Sequence, residues 1–156
     1  MTAPTYTWKF VYDLWGDRVP KIVTLEATTD LLTHVGTLLF MTGGQVDNCT
    51  DGTGTMIGLA AEEISVAATA GDPVRVALIA PGMVIRGTAG ADASALTGFA
   101  SKSQDIDSDQ SLDITDQTGG FLSVYRIGED ETGVQDADGL TVDCVVTNFD
   151  MGPADA

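Results

Sequence analysis

The sequence predicts a single all-β domain, a small β-barrel or sandwich with Gly-rich turns and long acidic loops. Its apolar runs are short, alternate with polar residues and are rich in Val, Ile, Leu and Thr. Gly or Asp ends most of these runs, as expected where a strand enters a tight turn. With 156 residues, 44% of them hydrophobic and 19% charged, the chain has the composition of a folded domain rather than of a disordered acidic tail.

Ten segments have the alternation or the β-branched content of a strand. In chain order they are residues 5–12, 21–26, 38–41, 55–60, 64–67, 74–80, 83–86, 112–115, 121–127 and 140–148. Helical signal is confined to two short stretches. Thr29 and Asp30 can cap a turn that runs to His34, and residues 92–99 tolerate a helix until Gly98 interrupts it.

No internal repeat or linker divides the chain. We therefore expect an aromatic N-terminal strand or arm over residues 1–20, one β-barrel domain over residues 21–150, and a short C-terminal tail over residues 151–156. The first ten residues lack the apolar region of a signal peptide, and no run of 18 apolar residues occurs. We expect neither secretion by that route nor a membrane span. Cys49 and Cys144 are distant and form no CxxC motif, which favours two free thiols.

The chain is very acidic, with a net charge of −16 and a pI of about 4.1. Such a surface repels phosphates and anionic headgroups, which argues against nucleic acid and membranes as partners. Residues 1–90 hold 9 acidic and 5 basic side chains, whereas residues 91–156 hold 14 and 2. Two acid-dense stretches in the second half, residues 101–116 and 129–138, are expected to be solvated loops.

Five of the ten aromatic residues fall within the first fifteen positions: Tyr6, Trp8, Phe10, Tyr12 and Trp15. The first four are spaced by two, which on a regular strand places all four rings on one face. Two interpretations are open. The stripe either closes the domain's own core, as amphipathic strands usually do, or anchors the chain to a neighbouring subunit or a partner.

A possible calcium loop runs through residues 105–116. Oxygen-bearing side chains occupy positions 1, 3, 5, 7, 9 and 12 of the calcium-loop numbering, namely Asp105, Asp107, Asp109, Ser111, Asp113 and Asp116. The pattern departs from the motif because Gln110 replaces the Gly at position 6, Asp116 replaces the Glu at position 12, and no flanking helices are predicted. A solvated loop without a metal is the favoured interpretation, so we expect no cofactor, with calcium as the exception.

The sequence indicates a protein that is not an enzyme. It holds no GxxxxGK[ST], GxSxG or HExxH motif, and His34, its only His, lies in an apolar stretch. The glycine-rich residues 52–58 lead into an apolar strand rather than the helix that a phosphate site needs. Paired carboxylates for glycoside hydrolysis stay open, although aromatic sugar platforms outside the N-terminal strand are few.

Several stretches resemble the small capsid decoration, or cement, proteins of tailed bacteriophages. The resemblance covers about residues 35–148 and rests on VGTLLF at 35–40, GLAAEE at 58–63, AGDPVRV at 70–76, GMVIRG at 82–87 and GFLSVYRI at 120–127. It implies a small β-barrel without catalysis, placed on the outside of an icosahedral head in the virion after assembly in the host bacterial cytoplasm. It also implies binding to the major capsid protein as a homotrimer that bridges capsomers and stabilises the expanded shell.

In that interpretation the five N-terminal rings contact a neighbouring subunit or the capsid, and the C-terminal acidic loops face solvent. Two alternatives remain. One is a phage tail or fibre module that recognises a host glycan, and the other is a calcium-binding β domain built on residues 105–116.

Overall fold

A computed structural model describes residues 2–148, and over this range the chain is all-β. The predicted tail over residues 151–156 lies outside the described residues, as do Met1, Phe149 and Asp150. Nine strands and one 3-10 turn, Ser94–Leu96, are present within the described range. The strands are β1 Lys9–Asp13, β2 Lys21–Glu26, β3 Leu38–Thr42, β4 Gln45–Asn48, β5 Gly58–Ala60, β6 Pro73–Leu78, β7 Met83–Thr88, β8 Leu122–Ile127 and β9 Thr141–Val146.

The strands form two antiparallel sheets. Sheet A has the order β1-β7-β9-β8, and sheet B has the order β2-β6-β5-β3-β4. The architecture is sandwich-like and the barrel alternative is wrong, because no ladder joins the two sheets into one closed surface among the described strands. Sheet B curls at one corner, where Ala27 forms an isolated parallel bridge with Val46.

The central strands β3 and β5 of sheet B are buried on both faces, which explains their nearly continuous apolar sequences. Leu38 belongs to the main core, which includes side chains from both sheets, whereas the adjacent Leu39 belongs to a second cluster with Val74 and Val76. Successive residues of a strand point to opposite faces. Leu38 and Leu39 of β3 therefore contribute one side chain to each of the two clusters.

Most of the predicted strands are present with shifted ends, two predicted segments are not strands, and one strand was not predicted. Residues 64–67 and 112–115 form only isolated bridges, through Ile64 and Leu112. Strand β4 was not expected, because its sequence QVDN is mostly polar. It forms because Gly43 and Gly44 both take positive φ, which allows the tight turn that returns the chain from β3 to β4. Of the two helical stretches, only Ser94–Leu96 forms, as one 3-10 turn.

The N-terminal segment is a strand of the domain and not a free arm, because β1 pairs with β7 over Lys9–Asp13. The expectation of a solvated loop over residues 101–116 is also wrong. Gln104, Ile106, Gln110 and Leu112 in that stretch are fully buried. The second acid-dense stretch, residues 129–138, is exposed at nine of ten positions. Within the described residues, no helix has the length and hydropathy that a membrane span requires.

Candidate interaction surfaces and the acidic loop

The structure divides the five N-terminal rings between core and surface. Trp8 is 2% exposed and belongs to the main core, and Phe10 packs against that core while remaining partly exposed. Tyr6 and Trp15 are 37% and 71% exposed. The rings therefore do not form one stripe, and only part of the set is available to a partner.

Trp8 is fixed from three directions. Its backbone N–H donates to the carbonyl of Gly36 at 2.9 Å, and its indole Nε1 donates to the carbonyl of Gln110 at 2.8 Å. The indole ring lies on Gly87, where a Cβ atom would collide with it. Trp8 therefore closes the domain's own core and is not available as an anchor to a partner.

A β-bulge turns Tyr12 away from Phe10. Phe10 pairs with Ile85 and Tyr12 pairs with Val84, so Val11 is an extra residue in β1. Because Ile85 and Val84 point to opposite faces of β7, Phe10 faces the core and Tyr12 faces outward. The period of two in the sequence carries no signal for this bulge.

The outer face of sheet A holds a network of two arginines on one carboxylate. Asp143 of β9 is fully buried, and its oxygens accept hydrogen bonds from Arg86 Nε at 2.7 Å and Nη2 at 3.0 Å. Arg126 Nε donates to the same carboxylate at 2.9 Å, and its guanidinium carbon lies 5.5 Å from the Tyr12 ring centroid. These contacts cross β7, β9 and β8, so the network ties the sheet together laterally.

A second surface feature is a set of exposed apolar side chains in and next to the connection between β1 and β2, which we call the Trp15 tip. It consists of Leu14, Trp15, Val19 and Ile22, whose exposed fractions are 38%, 71%, 72% and 45%. Large apolar side chains grouped in nine residues and exposed to water are typical of contact sites between proteins.

The conformation of the Trp15 tip is held by specific contacts. The Trp15 ring lies against Gly82, which has a φ of +86° and no room for a Cβ. The Arg18 guanidinium lies 5.5 Å from the Trp15 ring centroid, donates to the Pro81 carbonyl at 2.6 Å and pairs with Asp13 at 2.7 Å. Hydrogen bonds from Arg18 hold the pKa of the Asp13 carboxyl well below its usual range. Trp15 is thus exposed and preorganised at once, which lowers the entropy lost when it binds.

Gln110 organises the acidic loop from inside. Its Oε1 accepts from the Leu38 N–H at 2.7 Å, and its Nε2 donates to the carbonyls of Leu38 and Cys49, each at 2.9 Å. Its φ is +67°, so the position where a calcium loop carries Gly does adopt the left-handed conformation. The Gln110 side chain forms hydrogen bonds with buried backbone groups of the core, which explains why this part of the loop is buried instead of solvated.

Most of the loop carboxylates build turns. In each case one oxygen accepts both the backbone N–H and the hydroxyl of the Ser or Thr two residues later. Five pairs share this geometry: Asp92 with Ser94, Asp109 with Ser111, Asp113 with Thr115, Asp116 with Thr118, and Asp130 with Thr132. The signal Asp-x-Ser/Thr was present in the sequence and indicates a turn rather than a metal ligand.

Only part of the predicted calcium loop comes together. Carboxylate oxygens of Asp105 and Asp116 lie within 4.8 Å of each other and of Asp51, which sequence reasoning missed. Asp107, Asp109 and Asp113 are not members of this group. Asp105 is 2% exposed, and its two oxygens already accept the N–H groups of Ile106 at 2.7 Å and Gly52 at 3.2 Å. Burial raises the pKa of the Asp105 carboxyl.

The nucleophile candidates do not form a reactive constellation among the described residues. Cys49 and Cys144 are free and fully buried, and burial raises the pKa of both thiols, which keeps them protonated. His34 Nδ1 lies 3.0 Å from Glu63 Oε1, with both side chains largely in solvent. A scan against protein-family models matches no family, and a search of curated proteins finds no matching relative.

Proposed function

We propose that this protein is a structural virion protein that binds the outer surface of a tailed-phage capsid and stabilises the expanded shell, without catalysis. The Trp15 tip carries this proposal, because it offers an exposed, preorganised aromatic anchor with Val19 beside it in the chain. Trp is the residue most often found at the energetic centre of protein interfaces. The partner is the major capsid protein, and self-association as a trimer belongs to the same proposal.

Two further observations support it. The segments that resemble decoration proteins include most of β3, β6 and β7 and all of β5 and β8, so the resemblance falls on the framework that presents the tip. The exposed acidic stretch at residues 129–138 gives the molecule a repulsive surface that faces solvent and keeps particles apart. A clamp that binds only the expanded lattice stabilises that lattice by its differential affinity.

The test is cosedimentation with expanded phage heads assembled from the major capsid protein encoded in the same genome. The wild type is expected to sediment with heads, and Trp15→Ala to bind about tenfold more weakly or worse. Val66→Ala is the matched control, because Val66 is an 81% exposed apolar residue outside the tip. A wild type that stays in the supernatant overturns the proposal, and equal binding of both variants removes the tip as its anchor.

Copy number separates this function from a tail or fibre module. Hundreds of molecules on each purified head fit a decoration protein, whereas a handful at the tail fits the alternative.

A further inference from the structure

Strand β2 lies at the edge of sheet B and uses only one of its two hydrogen-bonding sides. It pairs with β6 in an unbroken antiparallel register from Lys21 opposite Leu78 to Glu26 opposite Pro73. No described strand pairs with its other side along this length. The strand carries no proline and no bulge, which are common devices that keep sheet edges from pairing with other chains.

The hydrogen bonds beyond the end of β2 show which of its backbone groups are unpaired. The Ala27 N–H donates to the Asp72 carbonyl at 2.8 Å, and the Ala27 carbonyl accepts from the Gly71 N–H at 2.9 Å, both toward the β6 side. The Thr28 N–H points the other way and donates to Val46 at 3.0 Å. Because direction alternates along an antiparallel strand, the odd residues of β2 bond to β6. The even residues, Ile22, Thr24 and Glu26, direct their N–H and C=O groups outward, and at Glu26 this side of the strand adjoins β4 through the bridge between Ala27 and Val46.

The side chains of the same three residues are also exposed. Ile22 is 45% exposed, and Thr24 and Glu26 are exposed as well, while Val23 and Leu25 pack against the second core cluster. The free length is limited, since the bridge between Ala27 and Val46 closes the far end. The free edge starts beside Val19 and Ile22 of the Trp15 tip, so the two surfaces are continuous along the chain.

We propose that the β2 edge receives an extended segment of the capsid protein, which adds a sixth strand to sheet B. Outward N–H and C=O groups recur at every second residue, about 6.6–6.8 Å apart, and an extended backbone is the partner that matches this spacing. An apolar side chain of the added strand would lie against Ile22. This inference rests on the proposed function and adds to it the secondary structure of the partner and the edge it occupies.

Amide hydrogen exchange tests the pairing residue by residue. In the free protein, the N–H groups of Ile22, Thr24 and Glu26 are expected to exchange fast, and those of Val23 and Leu25 slowly. For the bound state, decorated heads are exchanged in deuterated buffer, dissociated under quench conditions and analysed by fragment mass spectrometry. Protection of Ile22 and Thr24, the two even residues away from the closed end, supports the proposal when it is seen on heads. Heads that bind the protein while these amides exchange as in the free state overturn it and leave the proposed function intact.

A proline substitution provides the second test. Thr24→Pro removes an outward N–H that β6 does not use, so the fold is expected to persist, since edge strands tolerate proline at such positions. Thr24→Val keeps the N–H and is the matched control. We expect Thr24→Pro to bind heads about tenfold more weakly and Thr24→Val to bind normally. Equal binding of a folded Thr24→Pro variant overturns the proposal, and should the variant not fold, the exchange measurement decides.

A second copy of this chain is the competing occupant of the edge. Sedimentation velocity of the free protein separates the two cases. If Ile22, Thr24 and Glu26 become protected as the free protein associates with itself, the edge belongs to a self-contact and the proposal is wrong. Wild-type protein that fails to bind heads at all overturns the proposed function instead.

Discussion

The indole Nε1 of Trp8 donates a 2.8 Å hydrogen bond to the carbonyl of Gln110, joining the first strand region to the middle of the acidic loop across 102 residues. The side chain of Gln110 in turn binds both backbone groups of Leu38. The N-terminal segment, the acidic loop and β3 are therefore locked to one another inside the core. This arrangement makes the first fifteen residues part of the fold as well as of the proposed contact surface.

Replacing Trp8 should destabilise the protein strongly. Trp8→Ala is expected to lower the free energy of unfolding by about 3–5 kcal/mol, because it leaves a cavity beside Gly87 and an unpaired carbonyl at Gln110. Urea denaturation measures the change, with Trp15→Ala as the aromatic control at about 1 kcal/mol or less. A loss at Trp8 as small as that at Trp15 would contradict its place in the core. Deleting residues 1–15 should for the same reason unfold the domain, so point variants at Trp15 are the valid test of shell binding.

The Gln110 side chain should be needed for the stability of the fold, although the backbone of this residue has an unfavourable positive φ. Gln110→Gly relieves the left-handed φ but leaves the Leu38 N–H and the Cys49 carbonyl without their side-chain partner, while the Leu38 carbonyl still accepts from the Cys49 N–H. We expect a net loss of about 2 kcal/mol in the free energy of unfolding. Asp30→Gly is the matched control, since Asp30 has a φ of +66° and an exposed side chain. That variant should be neutral or slightly stabilising. Thermal melts measure the melting temperature of both variants. Equal melting temperatures would contradict the role of the Gln110 side chain.

The contribution of the Asp143 network to the free energy of unfolding should depend on the Asp143 carboxylate. Asp143→Ala leaves the largely buried Arg86 guanidinium without its partner, whereas Arg126, whose side chain is 42% exposed, keeps access to water. A loss of about 3 kcal/mol in the free energy of unfolding is expected. Asp138→Ala, an exposed acid in the loop before β9, serves as control and should change little. The measurement is urea denaturation at pH 7. A near-neutral Asp143→Ala would mean that the two arginines find other partners.

The stability of the protein should fall steeply at acidic pH. Hydrogen bonds from Thr115 and Thr132 lower the pKa of Asp113 and Asp130, so each contributes stability above the ordinary value of 3.8 that is lost as the pH falls below it. Burial raises the pKa of Asp105, so its contribution has the opposite sign and favours the fold as the carboxyl takes up a proton. Melting temperatures from pH 6 to pH 2 check this, and Asp113→Asn should show a shallower loss below pH 4. If the melting temperature of Asp113→Asn falls below pH 4 as steeply as that of the wild type, Asp113 does not contribute to the acid sensitivity.

Calcium should have little effect on the fold. Of the five predicted ligands only Asp105 and Asp116 come together, and the group that they form with Asp51 supplies three carboxylates, of which Asp105 is already engaged by two N–H groups. We expect the melting temperature to be the same in millimolar calcium and in chelator. A rise with calcium that disappears in Asp51→Asn would show instead that this group binds the ion.

The candidate surfaces were only partly predictable. The sequence singled out Trp15 as one of five rings, and the structure leaves its side chain 71% exposed. The spacing of the rings does not separate Trp15 from Trp8, because that difference depends on Gly82, 67 residues from Trp15, and on Gly87, 79 residues from Trp8. The Asp51 group was missed for the same reason, since it joins a turn after β4 to the distant acidic loop.

The amino-acid sequence by itself determined the all-β class, the position of most strands and the concentration of acid in the second half. These properties are local, because alternation, glycine turns and charge each depend on residues that are neighbours in the sequence. Only the tertiary structure decided that the sheets form a sandwich, that a bulge at Val11 turns Tyr12 outward, and that Gln110 draws an acid-rich loop into the core. Each of these depends on contacts between segments far apart in the chain, which leave no periodic signal in the sequence.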